Sequence, residues 1–307
     1  MTDHDEIIRC LLENGCARVV AATTTQTVRE IARRHNAHGV AAVALGRAVT
    51  AGLTLATLTK DEEQVTLQIL GNGPLGSITV DARSSGRVRA YLKHPGAVPW
   101  IGESGPGRVS LAEAVGSKGV VSVIRDLGLA QNYAGQSALA TGEIDSDVEK
   151  YLLTSEQIDS VLRCDTLLDS EGRVTASAGL LVQTLPQAGG EALVEFIRQS
   201  LDGERLNQTL REATGGLGAE TLARRMLAPM SDTLQTLDCR PVTFACSCSR
   251  ARAAATLEML HEEDLREMIL EDNQAQITCN FCGEQYIFSE GELEIIRRKR
   301  QPARPAS

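Results

Sequence analysis

The sequence predicts an α+β fold: an N-terminal domain with a largely antiparallel sheet and helices, then a helical linker and a small cysteine-rich module. Two observations predict the domain. Helix-like periodicity gives way to alternating polar and apolar residues after residue 63, and glycine-rich turns separate the alternating segments. The module is predicted by two close cysteine pairs, Cys246 with Cys248 and Cys279 with Cys282.

Helices come first along the predicted domain. Thr27–His35 places apolar residues on one face, and Gly39 follows as a stop signal. A second helix is predicted over residues 40–59. It is apolar on most sides but contains Arg47 and is rich in alanine and glycine, so we expect a buried core helix rather than a membrane span. A short third helix is predicted over Ile144–Leu153.

The strands of the predicted domain share alternating or β-branched sequences, at Gln64–Leu70, Ser77–Val80, Arg87–Leu92, Val120–Asp126 and Val174–Val182. Between the first two, Gly71–Gly76 matches the G-x-G-x-x-G letters of a dinucleotide-binding loop. Such a loop has to open a helix, whereas Ile78–Val80 continues a strand. The match therefore predicts a hairpin turn.

The later part of the chain is predicted to be a linker and a module. Glu191–Leu201 and Ala219–Leu227 are amphipathic and are separated by the glycine-rich residues 214–218. The module is expected to contain one helix between the cysteine pairs and a strand over Tyr286–Phe288. The predicted divisions are an α+β core domain at 1–188, a helical linker at 189–240, a zinc-binding module at 241–296 and a basic disordered tail at 297–307.

The spacing of the four cysteines is typical of a tetrahedral zinc site with four thiolate ligands. If all four bind, no coordination position remains for water, so the metal would hold structure or sense redox state rather than activate a nucleophile. The Cys-x-Cys pair favours sensing because it is tighter than the usual Cys-x-x-Cys knuckle, and thiolates are the form that oxidants attack. About 55 residues form too small a module to be stable without such a staple.

The net charge of the chain limits the classes of partner that we expect. The formal net charge is -9, and residues 239–294 contain eleven acidic residues against four arginines, so a nucleic-acid surface is not expected. The acidic start of the chain lacks the layout of an export signal. Eight cysteines without such a signal suggest a reducing compartment, so we expect a cytoplasmic protein with no membrane partner.

Other candidate ligands are weaker. Cys10, Cys16 and Cys164 have no paired spacing and are expected to be small buried apolar side chains. Cys239 has no such partner either, but it lies seven residues before Cys246 and could join mixed disulfides. His35 and His38 lie near a predicted helix end, where they are expected to interact with the helix dipole rather than bind a metal.

Several segments together resemble the redox-regulated heat-shock chaperone of 33 kDa, the 33 kDa chaperonin family. The resemblance covers nearly the whole chain and is sharpest around the cysteines. The segments that carry it are Val242–Arg250, Ile277–Gly283 with Tyr286 and Phe288 after it, Gln68–Gly76 and Gly142–Gln157.

This resemblance implies an ATP-independent holdase and not an enzyme. Such a chaperone is inactive while reduced with one Zn²⁺ per chain, and active as a homodimer after oxidation by hypochlorite, or by peroxide with heat. The implied disulfides are Cys246 with Cys248 and Cys279 with Cys282. Each would close a loop of only one or two residues, so neither would replace the metal as a staple.

The implied partners are unfolding proteins, which would bind apolar surface that the unfolded module and linker stop covering. We hypothesise that this surface includes the sheet face beneath the linker helices and six side chains of the linker: Leu193, Phe196, Ile197, Leu217, Leu222 and Met226. Two alternatives stay open from the residues alone. One is a thiol-disulfide oxidoreductase, and the other is a constitutive interaction protein with a passive zinc ribbon.

Overall fold

The computed structural model describes residues 4–12, 15–58, 63–99, 107–126, 128, 132–185, 190–213 and 216–300. The chain divides into two compact units, Met1–Ala245 and Cys246–Ser307.

Helices and strands alternate irregularly along the first unit, as expected for an α+β fold. Its strands are β1 Glu6–Leu12, β2 Ala17–Thr23, β3 Gln64–Gly71, β4 Ser77–Arg83, β5 Arg87–Leu92, β6 Gly119–Asp126, β7 Tyr133–Ala138, β8 Ser160–Leu168, β9 Val174–Thr184, β10 Gln235–Pro241 and β11 Thr243–Phe244. Its helices are α1 Thr25–Arg34, α2 Val40–Ala56, α3 Ala112–Val115, α4 Ile144–Thr154, α5 Gly190–Ser200, α6 Gly203–Glu212 and α7 Ala219–Met226, and a 3₁₀ turn covers Ala228–Thr233.

These strands form two sheets. One has five antiparallel strands in the order β10-β1-β2-β9-β8, and the other has six in the order β11-β5-β4-β3-β6-β7. In the second sheet only the short β11 pairs parallel, with β5.

Helix α2 packs between the two sheets. Every residue from Ala41 to Ala56 is buried, and one apolar cluster combines this helix with residues of both sheets. Two glycines allow the close approach. A Cβ at Gly46 would lie 2.1 Å from Thr166 Oγ1 of β8, and one at Gly52 would lie 2.8 Å from Val80 Cγ1 of β4.

The same helix buries Arg47 completely, with its charge balanced by two carboxylates. Its guanidinium donates to Asp165 at 2.9 Å, to Glu143 at 2.7 Å and to the carbonyl of Val109 at 2.7 Å. A buried charge is tolerated only with such partners, so Arg47 fixes α2 against β8 and the residues around α4.

The five-stranded sheet is apolar on both faces. Ile7 and Val20 point towards α2, whereas alternate residues such as Ile8 and Val19 belong to a second apolar cluster. Helices α5, α6 and α7 cover this second face and contribute buried side chains, among them Val194, Leu206, Leu210 and Ala223.

Polar ties also hold these helices on the sheet. Asn207 of α6 donates to the fully buried Asp165 at 2.7 Å, and the amide of Ala219 at the start of α7 donates to Glu6 of β1 at 2.8 Å. The carbonyl of Leu201 after α5 accepts from Arg163 at 2.9 Å.

The second unit contains α8 Arg250–Glu258, α9 Glu262–Glu267, a π-helical turn Met268–Asp272, the hairpin of β12 Gln274–Thr278 with β13 Gln285–Ser289, and α10 Glu290–Arg300. Its apolar core is small. Among the described residues the buried members of this apolar cluster number eight: Ala253, Leu257, Leu265, Ile269, Ala275, Phe288, Leu293 and Ile296.

The structure confirms the predicted fold class, the hairpin turn at Gly71–Gly76 and the buried core helix. Helix α2 ends at Ala56, before the predicted end at Thr59, which lies outside the described residues. No helix within the described part of the chain combines the length and apolar content needed to cross a membrane. The prediction of one helix between the cysteine pairs was wrong: the chain breaks after α8 and restarts at α9, whose acidic first turn suits a helix N-terminus.

The predicted domain divisions stay a prediction. Helices α5–α7 and strand β10 cover most of the predicted linker and lie within the first unit. Helix α10 extends to Arg300, whereas residues 186–189, 214, 215 and 301–307 lie outside the described residues.

Candidate metal centre

The first cysteine pair lies directly before helix α8. Ser249 caps that helix, and its side chain accepts a hydrogen bond from the amide of Arg252. The guanidinium of Arg252 reaches back to the carbonyl of Ser247 at 2.9 Å. The helix cap therefore holds the segment between Cys246 and Cys248 in a defined turn.

The second pair lies in the turn of the β12–β13 hairpin. The amide of Cys279 donates to the carbonyl of Glu284, and the amide of Gly283 donates to the carbonyl of Cys279, both at 2.9 Å. Gly283 has φ +76°, a backbone conformation that favours glycine. This tight turn brings Cys279 and Cys282 to the same side.

The four sulfur atoms converge. All lie within 4.8 Å of one another, with Cys246 Sγ 3.7 Å from Cys279 Sγ and Cys248 Sγ 3.3 Å from Cys282 Sγ. Four sulfurs on a tetrahedron around Zn²⁺, with bonds of about 2.3 Å, would lie about 3.8 Å apart. The cluster therefore fits a four-thiolate zinc site, and within the described part of the chain it is the one group of this kind.

The environment of the sulfurs favours protons when no cation is bound. Burial raises the pKa of the Cys248 and Cys282 thiols. Tyr286 donates a hydrogen bond from its hydroxyl to Cys248 Sγ at 3.2 Å, and this donation raises the pKa of the tyrosine. Thiols that coordinate a divalent cation lose their protons outright. Metal binding at this cluster is therefore expected to release protons.

Arg250 connects the first cysteine segment to the rest of the second unit. Its guanidinium lies 4.5 Å from the centroid of the Phe288 ring and donates to the carbonyl of Ile287 at 2.7 Å. It also donates to Glu292 of α10 at 2.6 Å, which lowers the pKa of that carboxyl to about 2. One side chain thus contacts β13 and α10 two residues after a sulfur of the cluster.

The remaining cysteines lie apart from the cluster. Cys10 and Cys164 are buried, as predicted, and Cys16 is half-buried. Cys239 is exposed on β10, where its thiol lies 3.4 Å from a carboxylate oxygen of Glu6. Partial burial and this carboxylate raise the pKa of Cys239 to about 11, so little thiolate forms at neutral pH.

The predicted client-binding side chains lie on α5 and α7 and just before α7. Ile197, Leu222 and Met226 are buried against the five-stranded sheet, and Leu193 and Leu217 are half-buried beside them. Phe196 is 51 % exposed. Most of this set thus belongs to the apolar cluster that covers the sheet.

Three contributors to the metal centre were not predicted from the sequence. Arg250, Ser249 and Tyr286 act through a ring contact, a helix cap and a hydrogen bond to sulfur. The signal for Ser249 was available, because serine before a helix is a preferred cap. The other two contacts join residues 38 positions apart, which local patterns do not reveal.

Comparison with known proteins agrees with this geometry. The family model described as Hsp33 protein matches residues 5–289. The 33 kDa chaperonin of Listeria innocua is 37% identical over 292 residues, which cover 95% of this chain and 98% of the relative. That of Bacillus subtilis is 33% identical over 293 residues, with coverage of 95% and 98%.

A solved structure is also similar. The crystal structure of the 33 kDa chaperonin of Thermotoga maritima, a heat shock protein 33 homologue, superposes with a TM-score of 0.82 at 27% identity. The match covers 97% of this chain and 99% of the other. With its α+β fold, its four converging thiols and these relatives, the chain belongs to the Hsp33 family of chaperones.

Proposed function

We propose that this protein is a redox-regulated, ATP-independent holdase that binds unfolding proteins under oxidative stress. It is inactive while Cys246, Cys248, Cys279 and Cys282 hold one Zn²⁺, and active after these cysteines are oxidised. The observation that carries the proposal is that the four converging thiols lie in a unit whose apolar cluster has only eight buried members among its described residues.

So small a core depends on a bound metal ion or a crosslink for its stability. Domains of this size bury too little apolar surface to offset the loss of conformational entropy. Bound zinc supplies about 10–16 kcal/mol of apparent binding free energy in small zinc modules at neutral pH. Loss of the four thiolates therefore removes most of the stability of the second unit.

The proposed oxidation removes two electrons from two thiolates for each disulfide and transfers them to the oxidant. Two thiolates and one hypochlorous acid yield one S–S bond, one chloride and one hydroxide. We assign the disulfides to Cys246 with Cys248 and to Cys279 with Cys282. The shortest sulfur contacts given above run between the two pairs, and disulfides along them would hold the hairpin to α8. Peptide mapping of the oxidised protein distinguishes the two pairings.

The proposed client surface is the sheet face covered by α5–α7. This face carries a contiguous set of buried apolar residues, and the covering helices are short. Isolated helices of 8 to 11 residues are marginal in water. If unfolding of the second unit releases them, both the sheet face and the candidate side chains become available to clients. We further infer a homodimer in the oxidised state. We also infer a cytoplasmic location, because a chain with eight cysteines and no recognisable export signal suits a reducing compartment.

The test is to measure zinc release and suppression of aggregation of thermally unfolding citrate synthase, before and after hypochlorite, and again after a dithiol. We expect release of about one zinc per chain, gain of suppression, and reversal of both. Cys239→Ser is the matched control, because it removes an exposed thiol outside the cluster and is expected to leave the response unchanged. Suppression that ignores oxidation, or zinc loss without suppression, would contradict the proposal.

Substitution of Phe196 tests client binding without disturbing the fold. Because its side chain is already half exposed, Phe196→Ser is expected to reduce suppression by the oxidised protein without changing zinc content or melting temperature. The same replacement at buried Ile197 would also destabilise the fold. Unchanged suppression by Phe196→Ser would remove this position from the client surface.

A further inference from the structure

Four strands lie at the edges of the two large sheets. They are β10 and β8 in the five-stranded sheet and β11 and β7 in the six-stranded sheet. An edge strand presents backbone N–H and C=O groups that can pair with another chain. Proteins protect such edges with charges, proline, bulges, short strands or covering side chains. Three of these four edges are protected in this way.

Strand β10 carries Asp238, Arg240 and Pro241, and its register with β1 shifts between Arg9 and Cys10. Charges, a proline and a bulge therefore occur together at this edge. Strand β11 is only two residues long. Neither strand offers a long run of free backbone groups.

Strand β8 is protected by carboxylates. Alternate residues of this strand direct their amides away from β9. The amides of Leu162, Cys164 and Thr166 donate to the carboxylates of Glu149, Asp145 and Asp165 at 2.5, 3.2 and 2.8 Å. The side chains of α4 and of the strand itself thus occupy this edge.

Strand β7 differs from the other three. Its six residues, Tyr-Ala-Gly-Gln-Ser-Ala, include no charge and no proline, and its register with β6 is regular throughout. The amide of Leu139, directly after β7, donates to the carbonyl of Gly119 in β6. The odd-numbered residues of β7 therefore direct their backbone groups towards β6. Ala134, Gln136 and Ala138 therefore direct their backbone groups outwards, and all three are exposed.

The outward groups of β7 have one side-chain partner within the described part of the chain. Lys150 of α4 donates from Nζ to the carbonyl of Ala138 at 2.9 Å. No described strand pairs with this edge. The amides of Ala134, Gln136 and Ala138 are thus placed to donate to an added strand.

We propose that the edge of β7 binds extended backbone segments of unfolding clients by strand addition, which rests on the proposed holdase function. A six-residue edge is too short to bury the roughly 1,200 Å² that a specific stable dimer needs, so a second copy does not fit as the occupant. An unfolding client supplies extended backbone of any sequence. Main-chain hydrogen bonds provide affinity without demanding particular side chains.

This site complements the apolar face. The sheet beneath α5–α7 recognises apolar side chains, whereas β7 recognises the main chain. A few hydrogen bonds at an edge give weak binding alone. They add to affinity once the client is already held elsewhere on the same molecule, because the second contact is then intramolecular. The exposed edge is therefore compatible with an inactive reduced state.

Amide hydrogen exchange at residue resolution gives the direct test. The oxidised protein is compared with and without thermally unfolding citrate synthase. We expect the amides of Ala134, Gln136 and Ala138 to become protected in the complex. Those of Gly135 and Ser137, already bonded to β6, should change little. Uniform or absent protection along β7 would overturn the proposal.

Gln136→Pro gives the functional test, with Gln136→Ala as its matched control. Proline removes an outward amide and leaves the bonds to β6 intact, which edge strands tolerate. We expect the oxidised proline variant to need about fivefold more chaperone for equal suppression, the effect of one lost hydrogen bond, and the alanine variant to match the unsubstituted protein. If the proline variant has a lower melting temperature than the alanine variant, its suppression is not compared. The amide exchange pattern of the unsubstituted protein then decides whether clients bind by strand addition.

The outcomes separate the two proposals. Suppression by oxidised Gln136→Pro equal to that of the control, with the unsubstituted protein active, would overturn strand addition and leave the holdase proposal standing. No suppression by the oxidised unsubstituted protein would overturn both. Protection of the same amides without client, rising with protein concentration, would assign the edge to a second copy and overturn the choice of client.

Discussion

Arg250 shows how one side chain can link the metal centre to the fold around it. It stacks on Phe288 and bonds to Ile287 and Glu292, although it is itself 50% exposed. These contacts join the segment of the first cysteine pair to β13 and α10. Opening of the cluster and loosening of the small core are therefore coupled through this residue.

We predict that Arg250→Gln destabilises the second unit by about 1–2 kcal/mol, the sum of a lost cation–π contact and weakened hydrogen bonds. The reduced protein should release zinc faster to a coloured chelator and respond to less hypochlorite. Arg266→Gln, on the exposed surface of α9, is the matched control. Equal zinc release rates for the two variants would contradict this role.

Asp145 is a buried carboxylate whose ionisation makes the stability of the fold depend on pH. Burial alone would raise the pKa of its carboxyl, but Arg108 and Arg47 outweigh burial and hold that pKa below its ordinary value. The ion pair with Arg108 has a distance of 2.5 Å. A depressed carboxyl pKa stabilises the fold at pH above the unfolded-state value of about 3.9 and loses this effect as pH falls through the folded-state value.

We predict that Asp145→Asn lowers the free energy of unfolding at pH 7 by about 3 kcal/mol or more, because Arg108 stays buried without its anion. The difference from the unsubstituted protein should shrink below about pH 4. Urea unfolding at both pH values measures it. Asp232→Asn, on the exposed 3₁₀ turn Ala228–Thr233, should change little at either pH. A difference that does not depend on pH would contradict the assignment.

At the scale of elements, helix α7 is the shortest of the three covering helices. It has eight residues, and Ala219 provides its backbone tie to β1 through Glu6. Helix α6, in contrast, is connected through Asn207 to Asp165 and Arg47 in the core. We therefore expect α7 to leave the sheet before α6.

We predict that Leu222→Ala loosens α7 by about 2–5 kcal/mol, the range for truncating a fully buried leucine. The reduced protein should then suppress aggregation partly without oxidant and reach full activity at a lower dose. Leu153→Ala on α4, where the leucine is 54% exposed, is the control. An unchanged dose response for Leu222→Ala would show that release of α7 does not limit activation.

Elements with a local signal were predictable from the sequence. The cysteine pairs, the apolar helix α2 and the β3–β4 hairpin each arise from residues close together in the chain. Strands β1 and β2 were not predicted, because Ile-Ile-Arg-Cys-Leu-Leu and Arg-Val-Val-Ala-Ala have no period-two alternation when both faces of the sheet are buried. Strand β10 falls within the predicted linker and has no local strand signal, because its partner β1 lies more than 200 residues away.

At the scale of the whole molecule, the two units differ in what stabilises them. The first unit has two large apolar clusters with α2 at the centre of one of them, and the second has a small cluster beside four thiols. A stimulus that acts on these four thiols therefore acts on the unit with the smaller apolar core. Under the proposed function, the first unit would remain folded and present the client surface.

We predict that a strong zinc chelator, added to the reduced protein, unfolds Cys246–Ser307 and leaves the first unit folded. Limited proteolysis should then remove the second unit and yield a fragment of the first unit that ends near Ala245 while α5–α7 stay on the sheet, with further cuts within α5–α7 if they are released. The same chelator saturated beforehand with zinc is the control. Loss of both units together, seen as complete digestion, would contradict the independence of the two units.

The pairing of β1 with β10 has a consequence for the synthesis of this chain. Glu6 pairs with Pro241, so the ribosome has to release almost the whole first unit before that edge of β1 is covered. Until α5–α7 emerge, one apolar face of the five-stranded sheet is also bare. Nascent chains with bare edges and apolar faces aggregate readily. During its own synthesis, a protein of a chaperone family thus exposes the same kinds of surface as an unfolding client.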